Sequence, residues 1–176
     1  MKEIIIQIPE GKKAVLTLID KTDNLPVTEH IKTFKDACNE LGNRHPLVKQ
    51  YDFINAVYEG DATAKDLIAY LKLRIIVAVL NEGWEPEFTE DEYKYFPWFR
   101  FYTEEEYNEL DDTDKECCVL HSGLNTLSNF GFVYCFAGVD ASYSFTNYGS
   151  RLAFKTRELA VYAGKQFIKE YFDYIC

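Results

Sequence analysis

Residues 63–83 read TAKDLIAYLKLRIIVAVLNEG. Leu67, Leu71, Ile75 and Val79 recur every four residues, the spacing of one helical face, while Leu73, Ile76, Val77 and Leu80 fill the remaining faces. Only the early turns keep a charged side. A helix that is apolar all round in its second half belongs at the centre of a fold, so the rest of the chain is expected to pack around it. Gly83 offers the left-handed position that ends such a helix.

Working outward toward the N-terminus, two shorter helices precede it. Thr33 is placed as an N-cap with Asp36 three positions on, and Phe34, Ala37, Cys38 and Leu41 form an apolar stripe before Gly42. Pro46 suits a first helical position, and Leu47, Val48, Tyr51, Ile54, Val57 and Tyr58 give a second stripe that stops near Gly60. Farther upstream, Ile4, Ile6 and Ile8, and then Val15, Thr17 and Ile19, alternate on either side of Pro9-Glu10-Gly11-Lys12. That pattern predicts an N-terminal β-hairpin.

Downstream of Gly83 the texture becomes acidic and aromatic. Residues 98–102 read as a strand, Thr103 followed by three glutamates as a helix start, and residues 132–137 as a second strand. Leu152 and Phe154 have strand parity, and Thr156 caps a last helix over residues 157–174. Ala160, Ala163 and Gly164 on the inner face of that helix predict a close approach to a sheet. The expected architecture is therefore α+β: one domain over residues 1–176, with an N-terminal β-hairpin, central helices, and a C-terminal antiparallel sheet packed by the last helix.

The composition bounds the function. The 176 residues are 47% hydrophobic and 27% charged, which suits a folded globular chain. Five cysteines without a CxxC pair argue against a disulfide scaffold. The start of the chain lacks the features of a signal peptide. The longest apolar run, residues 75–80, falls far short of the roughly 20 residues of a membrane span. A reduced, cytoplasmic protein with no membrane partner is expected. The net charge is -10, and residues 81–116 alone carry 14 Asp or Glu against three Lys or Arg, so the remainder is close to neutral.

Three phrases carry a family likeness: IKTFKDAC (31–38), LNEGWEP (80–86), and GSRLAFKT (149–156) running into Glu158-Leu159-Ala160. With Tyr95 to Phe99 and Gly164-Lys165-Gln166-Phe167, the chain resembles a family of small proteins, without an assigned activity, from Bacteroidetes genomes, phages and mobile elements. The resemblance spans about residues 31–172. It implies a genomic neighbourhood and assigns no catalytic or binding residue.

Candidate binding residues are read from the chain itself. Trp84, Tyr95 and Trp98 are the distinctive aromatic groups of the acidic stretch, suited to packing or to a ligand platform. Arg151, Lys155 and Arg157 surround the start of the last helix, where free N–H groups and basic side chains favour an anion. Tyr143, Phe145 and Tyr148 nearby have faces on which bases stack. Cys117 and His121 share a strand face, but no oxyanion or protease signature accompanies them. A zinc site there would need Cys135 and a further ligand that the spacing does not supply. No metal or cofactor is assigned. The leading expectation is a non-enzymatic phage or mobile-element accessory protein that binds another protein through an acidic, aromatic surface. The alternatives are a nucleic-acid-binding accessory using Arg151 and Lys155, and a small hydrolase around Cys117 and His121.

Overall fold

The structure is a computed structural model that describes residues 25–87, 91–112, 115, 130–140 and 150–176. Its elements are α1 (Val27–His30), α2 (Phe34–Leu41), α3 (Pro46–Val57), α4 (Lys65–Leu80), β1 (Lys94–Thr103), α5 (Glu104–Glu109), β2 (Phe130–Asp140), α6 (Arg157–Gln166) and α7 (Ile168–Ile175). Short 3-10 turns at Ala62–Ala64 and Ser150–Leu152 complete the order.

The helix ends form where the side chains specify them. In α2 the Thr33 hydroxyl accepts from the Asp36 N–H while the Asp36 carboxylate accepts from the Thr33 N–H, a reciprocal box. The same arrangement opens α5, with Thr103 and Glu106. Pro46 is the first residue of α3, capped by the His45 side chain. Asp61 accepts from the Thr63 N–H at 2.8 Å and starts the turn that leads into α4.

Helix α4 is the centre of the molecule. Leu73, Ile75, Ile76 and Leu80 have no exposed surface, as expected of a helix whose second half is apolar on every side. Helices α2, α3 and α7 pack around it. A Lys65–Asp173 ion pair at 3.0 Å and the Tyr70 and Tyr174 rings, 5.8 Å apart, join α4 to α7. Helix α6 is tied to the linker between α1 and α2: the Tyr162 hydroxyl donates to the Ile31 carbonyl at 2.6 Å and the Gln166 amide to that of Lys32 at 2.8 Å.

β1 and β2 form an antiparallel ladder with a register shift between Trp98 and Phe99. Helix α6 lies against both strands. A Cβ placed on Gly164 would sit 2.7 Å from the Pro97 Cβ and inside the Tyr134 ring contact, so the close approach predicted from Ala160, Ala163 and Gly164 is present and requires glycine. Pro97 and Phe99 thus face the helices, and strand alternation sends Phe96, Trp98 and Arg100 to the other side.

The α+β architecture is corrected by these observations. Nine of the eleven described elements are helical, and among the described residues the sheet is limited to this two-stranded ladder. The expected C-terminal sheet fails at residues 152–154. Leu152, Ala153 and Phe154 are all buried, where a surface strand would bury only alternate residues, so the segment threads the core as an irregular strap. Its one sheet-like feature is an isolated bridge from Phe154 to Tyr95. The last helix is also divided, α6 and α7 meeting at Phe167, whose φ of -112° and ψ of 31° leave the helical region. The N-terminal hairpin falls on residues outside those described. Among the described residues no helix is long and apolar enough to cross a membrane.

Candidate functional site

Asn81, the residue after α4, is 2% exposed and explains how the site is built. Its Nδ2 donates to the Ala153 carbonyl at 2.8 Å, and its Oδ1 accepts from the Lys155 N–H at 3.1 Å. One buried carboxamide thereby satisfies two backbone groups of a strap more than 70 residues away, groups that would be costly to leave unpaired. Lys155 Nζ reaches Glu82 Oε2 at 2.7 Å and adds an ion pair to the same joint.

The turn after Asn81 is left-handed at two residues, Glu82 at φ 50° and Gly83 at φ 84°. Glycine adopts this region freely and glutamate does not. The Trp84 N–H donates back to the Asn81 carbonyl at 3.0 Å and closes the turn. The chain reverses over the end of α4 and brings Trp84, Glu85 and Pro86 to the mouth of a cleft of about 290 Å3. Arg74, Val77 and Ala78 of α4 form another wall, with Arg151 and Ala153 of the strap and Leu47 of α3. Arg74 is half-buried and Arg151 exposed. Neither makes a hydrogen bond or an ion pair among the described residues.

The phrases LNEGWEP and GSRLAFKT therefore meet, and Trp84 and Arg151 share one cleft. Lys155 lies at the same joint but is engaged by Glu82. Tyr95 serves the scaffold: it is half-buried, and its backbone exchanges hydrogen bonds of 3.1 and 2.9 Å with Phe154. Trp98 is 36% exposed on the strand face turned away from the helices. Arg157 is elsewhere, lining a wider depression with Thr28, Tyr162 and Lys165. The start of α6 is occupied by its own cap, Thr156 Oγ1 accepting from the Leu159 N–H. Cys117, His121, Tyr143, Phe145 and Tyr148 lie outside the described residues.

Two residues of the site escape a sequence reading. Arg74 looks like an incidental charge near the middle of an apolar helix; its signal is that it interrupts an otherwise buried stretch. Asn81 carries no local signal, because both of its partners are distant in sequence.

A second feature is the state of charge in residues 81–116. All three cations there are engaged within the stretch. Lys94, almost fully buried, lies 3.2 Å from Glu92, Arg100 lies 3.3 Å from Glu106 and against the Tyr102 ring, and Lys115 donates to the Asn108 carbonyl at 3.0 Å. Glu87, Asp91, Glu105, Glu109 and Asp112 are exposed. Tyr93 and Phe101 are exposed among them, at 60% and 42%.

Comparison with family models, curated proteins and solved structures returned no match.

Proposed function

We propose that this chain is a non-enzymatic accessory protein of a phage or mobile element, and that it binds a basic segment of another protein through its acidic, aromatic surface. The observation that carries this reading is the engagement of Lys94, Arg100 and Lys115 inside the acidic stretch. Lys94 and Arg100 pair with Glu92 and Glu106, and Lys115 donates to a carbonyl. Among the described residues none of the three is bound to the exposed carboxylates of Glu87, Asp91, Glu105, Glu109 and Asp112, and the stretch keeps its excess of 14 acids over three cations. Clustered charge of one sign steers an oppositely charged partner and fixes its orientation. Exposed Tyr93 and Phe101 supply apolar area of the kind that anchors an interface. The resemblance to a family of small proteins from Bacteroidetes genomes, phages and mobile elements supports the setting.

The test is affinity capture from the native host, followed by titration of the purified partner. Binding is expected to weaken at least about tenfold when ionic strength rises from roughly 0.05 M to 0.5 M, because exposed charges are screened over a few ångströms at the higher value. The triple variant Glu105→Gln, Glu109→Gln, Asp112→Asn is expected to lose a similar factor. No partner at any ionic strength, or equal binding by the triple variant, contradicts the reading.

A further inference from the structure

We infer that the cleft between Trp84, Arg74 and Arg151 is a binding site for a single nucleotide, holding its phosphate between the two guanidinium groups and its base against the indole. This goes beyond the protein-binding reading and uses a different part of the molecule.

The argument starts with Arg74. It projects from α4 between residues that have no exposed surface, Leu73 and Ile75, and is itself half-buried. A charge withdrawn from water without a partner costs stability and returns none to the fold. Arg74 has no hydrogen bond or ion pair among the described residues, and neither has Arg151 across the cleft. The cation at the adjoining joint is engaged: Lys155 is held by Glu82 at 2.7 Å. Two guanidinium groups left open on one cleft match a tetrahedral oxyanion, because each offers a planar fork of donors.

The rest of the cleft defines what is attached to that anion. Trp84 supplies a flat π-face, and Leu47, Val77, Ala78 and Pro86 supply apolar walls. A volume of about 290 Å3 lies near the lower limit of small-molecule pockets, large enough for one base and sugar. Glu85 places a carboxylate at the rim, an acceptor suited to the amino group of a base edge. The walls are also held rigidly. Asn81 fixes the strap that carries Arg151, and the left-handed turn at Glu82 and Gly83 fixes Trp84.

Charge selects a single nucleotide over a long strand. The cleft carries two arginines against one glutamate, whereas the chain as a whole is at -10. The two guanidinium groups together balance the roughly two negative charges of one phosphomonoester, while a polyanionic backbone would run out over an acidic chain. The ligand chemistry has two sources, a free nucleoside monophosphate or the phosphorylated end of a strand.

Isothermal titration calorimetry on the full chain tests this with the four ribonucleoside 5′-monophosphates, the matching nucleosides, inorganic phosphate, a 5′-phosphorylated octathymidylate and a short acidic peptide. At least one monophosphate is expected to bind one to one, with the nucleoside at least about tenfold weaker, in line with a charge-assisted pair of arginine contacts. Arg151→Gln, an exposed substitution that leaves the melting temperature in place, is expected to weaken binding at least about tenfold, and Trp84→Leu about fivefold or more. Binding of the phosphorylated oligonucleotide as tight as that of the monophosphate, with the same dependence on Arg151, supports the shared chemistry and identifies a strand end as the source, whereas binding more than about tenfold tighter contradicts the selection of a single nucleotide. The inference is overturned if no monophosphate binds at millimolar concentration, if phosphate alone or the peptide binds as tightly, or if Arg151→Gln binds like the parent.

Discussion

Single residues decide where distant parts of this chain meet. The Asn81 carboxamide is buried and spans the Ala153 carbonyl and the Lys155 N–H. Its removal strands two backbone groups as well as losing two hydrogen bonds. Asn81→Ala is expected to cost about 2–4 kcal/mol, measured by urea unfolding. Asn81→Asp keeps the acceptor for the Lys155 N–H but sets a buried carboxylate against the Ala153 carbonyl, and is expected to cost at least as much at neutral pH. A loss below about 0.5 kcal/mol for the alanine variant would show that the strap is held by its apolar contacts alone. Glu170 on α7 carries a pH signature. Burial pushes its carboxyl up from the ordinary range, opposed in part by nearby Lys72. A raised folded value means that the neutral acid suits the fold, so its contribution is present in acid and lost as pH rises through the folded value. Glu170→Gln should therefore raise the melting temperature at neutral pH, with a gain that shrinks as pH is lowered through the carboxylate range. A gain independent of pH contradicts this cause.

At the scale of elements, what could be read in advance was local. Thr33 with Asp36, Thr103 with Glu106, and Thr156 with Leu159 set helix starts through contacts three residues apart, and each is visible in the sequence. The small face of α6 was legible for the same reason. Gly164→Ala drives a methyl group into Tyr134 and Pro97 and is expected to cost about 1–3 kcal/mol in thermal or urea unfolding, the range for overpacking a filled interior. Gly83→Ala should cost about 1–2 kcal/mol for its left-handed backbone, although open space surrounds it. An unchanged midpoint in either variant would contradict the geometry. Alternating apolar residues imitate a strand where none forms: Leu152 and Phe154 have strand parity, yet Ala153 between them is equally buried. Period alone does not distinguish a one-sided surface strand from a strap surrounded by core. The break at Phe167 was likewise hidden, since apolar residues continue through it from Ala163 to Tyr171.

For the whole molecule, the sequence located the distinctive phrases and the structure explains why two of them belong together. LNEGWEP ends the central helix, GSRLAFKT crosses it, and the cleft forms where they touch. Trp84 and Arg151 were visible as candidates from their chemistry. Asn81 was not, because both its partners lie more than 70 residues away, and Arg74 shows only as a charge that interrupts a buried stretch. The acidity concentrated in residues 81–116 was legible as a count; that its cations leave the exposed carboxylates of Glu87, Asp91, Glu105, Glu109 and Asp112 unpaired among the described residues is a property of the fold. The joint between Asn81 and the strap underlies both the folded core and the cleft, and amide hydrogen exchange at Lys155 tests it most directly. In the parent protein that N–H should exchange slowly, held by a buried acceptor. In Asn81→Ala it should exchange at least about tenfold faster, while the Tyr95 and Phe154 amides of the neighbouring bridge stay protected. Equal exchange at Lys155 in both proteins would contradict the account.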